Sequence, residues 1–123
     1  MLVRYAAAIL TFAGTLALVL GLLHWAGTAV RLMTMHMALG FLTVGALWVI
    51  GIAQAVSKGG SWLIAACAVI VGAVTIVFGL LHTALMAGEF HWVIQVVHLA
   101  FGILTIGLGH MAAARYRKAS AGE

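Results

Sequence analysis

The sequence predicts an all-α integral membrane protein: a four-helix up-down-up-down bundle built from a tandem repeat of a two-helix unit. Three observations predict it. Hydrophobic residues make up 66% of the chain against 7% charged, with no proline, a balance that no water-exposed domain of this size can carry on its surface. Four apolar stretches each meet the roughly 20 residues needed to cross a ~30 Å hydrocarbon core. Two segments are also written twice. GTLALVLGLLH at 14–24 returns as GAVTIVFGLLH at 72–82, and HMALGFLTVG at 36–45 returns as HLAFGILTIG at 98–107, each pair agreeing at six positions.

The spans are expected at about 5–25, 32–55, 62–86 and 91–114, so that residues 1–123 form a single transmembrane domain with repeat 1 at about 5–55 and repeat 2 at about 62–115. Each span is slightly long, which predicts modest tilt. The breaks hold the few hydrophilic residues: Thr28 and Arg31, then Ser57-Lys58-Gly59-Gly60-Ser61, then Gly88-Glu89. These are turns and not linkers between domains. Continuous apolarity, without period-two alternation, predicts helices over a barrel. The first segment follows a lone Arg4 as a signal peptide would, but it is too long for one and has a matching partner in the third segment.

Positive charge sets the expected orientation. Arg4, Lys58, Arg115, Arg117 and Lys118 fall on one side of a four-span chain and Arg31 alone on the other. By the positive-inside rule the termini are cytoplasmic and the first and third turns face outward, in a cell inner (cytoplasmic) membrane. The bilayer is therefore a partner, whereas a net charge of +4 dispersed over three segments makes no nucleic-acid surface. Cys67, alone inside the third span, has no disulfide partner and is expected in the packing.

The histidines carry the chemistry. Each half has one at the end of a span (His24, His82) and one at the start of the next (His36, His98), so all four are expected to converge near the outer face. Gly40 and Thr43 lie at i+4 and i+7 from His36 and share its helix face, as Gly102 and Thr105 do with His98. Gly21/Gly79 and Ala17/Thr75 are small on the other two walls. An imidazole in lipid needs a partner, and a small-lined slot between opposed histidines suits a flat macrocycle: haem b, low-spin, with His36 and His98 as axial ligands. His24 and His82 are the second choice for the metal; they are expected to bond propionates, to position a substrate, or to hold a second haem or copper. Arg31 is the expected counter-charge for a propionate. Against this stand close packing in lipid as the reason for the small residues, and copper or zinc held by histidine without porphyrin. His110, turned about 120° from His98 by its offset, and His91, beside Trp92, are expected at the two interfaces and not in the site.

One histidine near the start of the second span and one near the start of the fourth, 62 residues apart, with VGAVTIV at 71–77 in the third, resembles one four-helix half of a haem A synthase; cytochrome b561-like bundles are also similar. The resemblance implies His36 and His98 as haem ligands and a haem-modifying or haem-carrying activity. Members typically have two such bundles and an acidic residue three positions before a ligand histidine, with a role in oxidising the haem methyl group. Here those positions hold Met33 and Gln95, and there is no outer-loop cysteine pair. The expected function is accordingly a b-type cytochrome transferring electrons, with no catalytic side chain of its own, fed by quinol or a redox protein. Haem modification is the alternative. A half-sized bundle also invites a homodimer.

Overall fold

The computed structural model describes residues 1–85 and 88–121. Within them the chain forms α1 (Leu2–Trp25), α2 (Met33–Val56), α3 (Trp62–Leu81) and α4 (His91–Ala121), with a short 3-10 turn at Val30–Leu32 leading into α2. No strand occurs among the described residues. All four helices are long and apolar enough to cross a membrane, which gives a multi-pass membrane architecture. Hydrocarbon enforces the helices, since each backbone N–H and C=O must be satisfied within its own segment.

Two boundaries differ from expectation. The third helix stops at Leu81, where the Leu81 carbonyl takes the N–H groups of Ala84 (2.9 Å) and Leu85 (3.0 Å) and closes the helix in a turn; residue 86, the expected end, lies outside the described residues. The fourth helix continues past residue 114 because Arg115, Arg117 and Lys118 are themselves good helix formers. Its 31 residues extend about 46 Å at 1.5 Å per residue, well beyond the hydrocarbon.

Each turn pivots on a glycine in the left-handed region: Gly27 (φ 78°), Gly59 (φ 72°) and Gly88 (φ 102°). The second turn is also tied by Gln54, only 2% exposed. With its amide oriented to satisfy both ends, its oxygen accepts from the Ser61 N–H (3.2 Å) and its nitrogen donates to the Ser61 carbonyl (3.3 Å). Ser57 Oγ in turn donates to the Gln54 carbonyl at 2.7 Å.

Consecutive helices touch, α1 touches α4, and α2 touches α4 across the bundle, while α1 and α3 are held apart. The cross-section is thus a rhombus whose short diagonal joins α2 and α4. Small residues permit the close approaches: Leu10 packs on Gly109, Ile106 on Gly14, Ala68 on Gly51, and Trp48 on Gly72. The closed core draws on the start of α1, the end of α2, the start of α3 and the end of α4, with Leu10, Leu47, Ile50, Ala112 and Ala113 fully buried. Two side chains staple neighbouring helices at this end, Trp48 Nε1 donating to the Ala68 carbonyl (3.2 Å) and His110 Nε2 lying 3.3 Å from Thr11 Oγ1. Cys67, expected in the packing, is instead exposed on the bundle surface. It falls on the face of α3 that turns away from its neighbours.

Replacing Gly59 with alanine forces a Cβ into a left-handed backbone and is expected to destabilise the fold by about 1–2 kcal/mol. Gly45→Ala, at a helical position with nothing within 4 Å, is expected to be neutral or slightly stabilising. Unfolding midpoints of the two variants in detergent micelles check the contrast.

Candidate functional site

At the opposite end of the bundle, the packing opens into a cavity of about 160 Å³ lined by all four helices. His24, His36, His82 and His98 are all on its wall, and the remaining lining is apolar apart from Thr43, Thr75, Thr105 and Gln95. The structure therefore brings the four repeated histidines together, along with Gly40, Gly102, Thr43 and Thr105.

His36 and His98 face each other across the short diagonal, with ring centroids 6.2 Å apart and planes inclined at 71°. The α2–α4 contact sets this spacing. Each ring is seated against a glycine of the preceding helix: a Cβ added at Gly21 would stand 3.1 Å from His36 Cε1, and one at Gly79 would stand 3.1 Å from His98 Cε1. These glycines thus admit the imidazoles, in addition to widening the cavity as expected. Open space belongs to the other pair. A Cβ at Gly40 would meet nothing within 4 Å, and one at Gly102 only Leu18 Cδ2 at 3.5 Å.

The ring nitrogens are not equivalent. His36 Nδ1 lies 2.9 Å from the Ala17 carbonyl; a carbonyl only accepts, so the proton is on Nδ1 and the Nε2 lone pair is free. His82 is held the same way, Nδ1 donating to the Gly79 carbonyl at 2.9 Å. The Nδ1 atoms of His24 and His98 are buried without a partner. No Nε2 of the four has a hydrogen-bond partner among the described residues.

The threonines do not offer their hydroxyls to the cavity. Thr43 donates to the Leu39 carbonyl (2.7 Å) and Thr105 to the Phe101 carbonyl (2.8 Å). Thr75 Oγ1 donates to the Val71 carbonyl (2.7 Å) and lies 3.0 Å from Thr105 Oγ1. Their polar ends are satisfied by helix backbone, as hydroxyls in lipid must be, and they form the floor beneath the histidines.

No known protein family, curated protein or solved structure matches this chain.

Other residues singled out in the sequence lie elsewhere. Arg31 is exposed on the 3-10 turn and outside the cavity wall, while Met33 and Gln95, one turn before His36 and His98, are part of it. Among the described residues no three or more of histidine, cysteine, aspartate and glutamate are gathered closely enough to hold an ion together. His110 is remote from the cavity, in keeping with its offset. His91, read as interfacial, is half-buried, and its ring centroid is 6.1 Å from that of His82. A spacing of nine residues matches no helix face, so no sequence pattern marked the pair; it forms because α3 ends at Leu81 and the chain turns back. What the cavity offers is two imidazole rings in edge-to-face approach, free space beside them, and no carboxylate on its wall.

Because the glycines seat the rings, Gly21→Val or Gly79→Val is expected to overpack the His36 or His98 side and destabilise the protein by about 1–3 kcal/mol. Gly107→Val, where a Cβ meets nothing within 4 Å, serves as the control. The check is the loss of unfolding midpoint in the first two variants against its retention in the third.

Proposed function

We propose that this chain is a b-type membrane cytochrome that holds one haem between His36 and His98 and transfers single electrons. The observation that carries this reading is the 6.2 Å spacing of the two rings. One metal bonded to an imidazole nitrogen on each side at about 2 Å per bond sets ring centroids about 6 Å apart. Three further features fit. His36 has its Nε2 lone pair free, His98 keeps a buried nitrogen without a partner, and Gly40 leaves the neighbouring wall empty. A cavity of about 150 Å³ accommodates benzene, so a porphyrin, several times larger, must extend beyond the 160 Å³ of this open cavity through its mouth.

A haem so held supplies one-electron chemistry between ferric and ferrous iron. The protein's own part would be to hold the group through His36 and His98, to exclude water with an apolar wall, and to set the ring orientation of His36 through the Ala17 carbonyl. Arg31 stands on the turn between α1 and α2, at the histidine end of the bundle, where a propionate needs a counter-charge. Oxidation of the haem itself is disfavoured because Met33 and Gln95 occupy the places where the resembling family has a carboxylate. Quinol from the bilayer is the proposed electron donor.

The reading includes an up-down-up-down bundle made of a repeated two-helix unit. Its support lies in the pairings within each half, Gly21 with His36 and Gly14 with Thr43 in one, Gly79 with His98 and Thr75 with Thr105 in the other, of which Gly21–His36 and Gly79–His98 occupy repeated positions. In each half the residue number falls on one helix as it rises on the next. Cytoplasmic termini follow from the cations, which places the histidine end outward.

Purified protein is expected to show the sharp, reducible spectrum of a low-spin haem at one per chain. His36→Ala or His98→Ala should abolish haem or give a high-spin spectrum, while His24→Ala should retain the low-spin form with a shifted potential. Two haems per chain, or low-spin spectra surviving both ligand replacements, would sink the assignment.

Gly40→Leu or Gly102→Leu should exclude the porphyrin, and Gly45→Leu or Gly107→Leu, outside the cavity lining, should leave haem content unchanged. Equal haem loss in both sets would mean that these glycines serve helix packing alone.

Orientation has its own measurement. In a Cys67→Ala background, Thr28→Cys should react with an impermeant thiol reagent from outside intact cells and Ser57→Cys should not.

A further inference from the structure

We propose that His82 and His91 form a second site, at the turn between α3 and α4, for a divalent transition-metal ion of borderline softness such as Cu²⁺ or Zn²⁺. Their ring centroids are 6.1 Å apart with planes tilted by 39°, almost the spacing of the His36–His98 pair. That separation suits one ion bonded to a nitrogen of each ring at about 2 Å. Imidazole is a preferred ligand for both metals.

Local structure prepares the pair for this. The proton on His82 Nδ1 is fixed by the Gly79 carbonyl at 2.9 Å, the backing that metal-bound histidines ordinarily receive, and it turns a lone pair outward on Nε2. The backbone of His91 is set by its N–H bond to the Gly88 carbonyl at 3.1 Å, and its ring nitrogens have no hydrogen-bond partner among the described residues. Both rings are half-buried at the end of the bundle, so an ion reaches them from water without passing through the cavity. Glu89, exposed on the same turn, brings the only carboxylate among the described residues to this end. The protein supplies two ligands here and water completes the coordination. An ion in this place would tie the end of α3 to the first residue of α4 across the rim of the cavity.

The site is independent of the haem assignment, and its test separates the two. The full-length protein in detergent, as purified, is titrated with CuCl₂ from below one equivalent to two and followed by electron paramagnetic resonance, with ZnCl₂ as competitor. The expected result is one Cu²⁺ per chain with nitrogen hyperfine structure from two imidazoles, displaced by Zn²⁺. His91→Ala, at the start of α4, and His82→Ala should each weaken binding at least as much as the about 10–100-fold that loss of a backing hydrogen bond costs a metal site. His110→Ala should not, and haem content should be unchanged in His91→Ala. Absent binding, affinity unchanged by His91→Ala, or copper lost instead on replacing His36 would each overturn the proposal. Failure of the haem reading would show separately, as missing pigment in a protein whose copper binding still depends on His91.

Discussion

An imidazole placed in hydrocarbon must be given a partner; this bundle gives His36 one in the Ala17 carbonyl of α1, while the approach of α2 to α4 brings His36 and His98 together. Lipid gives helices little hydrophobic reason to associate, since its tails are as apolar as leucine. Close backbone approach and dispersion contacts have to hold the bundle together. The buried positions reflect this: Ala6, Ala46, Ala68, Ala112 and Ala113 accompany a few large side chains, Leu10, Leu47 and Ile50. That solid end fixes the helices relative to one another. Four helices clamped there and spread by histidines and glycines farther along leave a cavity whose walls are set by packing some distance away. The His36–His98 separation is therefore a property of the whole bundle and not of the turns beside it.

Much of this was legible in the sequence. Apolar runs gave the helices, and the duplicated GLLH and H-x-A-x-G segments brought the four histidines to one end. Gly40 and Gly102 stand where helical spacing from the histidines puts open space. What escaped depended on departures from period and repeat. Composition alone could not show that α3 stops at Leu81, because residues 82–85 are as compatible with helix as those before them. With that turn went the His82–His91 contact. Cys67 was misplaced since a span that is apolar all round, as α3 is, carries no signal for which face meets its neighbours. The role of Gly21 and Gly79 was half visible: their smallness was plain, but a ring from the next helix resting on each requires the interhelix register, which side-chain periodicity within one helix does not contain.

Duplication makes the two halves alike, and the interest lies in where they part. Ala17 and Thr75 occupy matched positions, about one turn below Gly21 and Gly79. In the first half the Ala17 carbonyl accepts the Nδ1 proton of His36, which fixes that ring's tautomer and leaves the Nε2 lone pair free. In the second half Thr75 is engaged with Val71 and Thr105, and His98 Nδ1 is left unsatisfied. A buried polar nitrogen without a partner costs about 1–3 kcal/mol whether it donates or accepts, and with neither ring nitrogen of His98 bonded among the described residues its surroundings select no tautomer. Where the two halves part, one histidine is anchored to helix backbone and its counterpart is held by packing against Gly79.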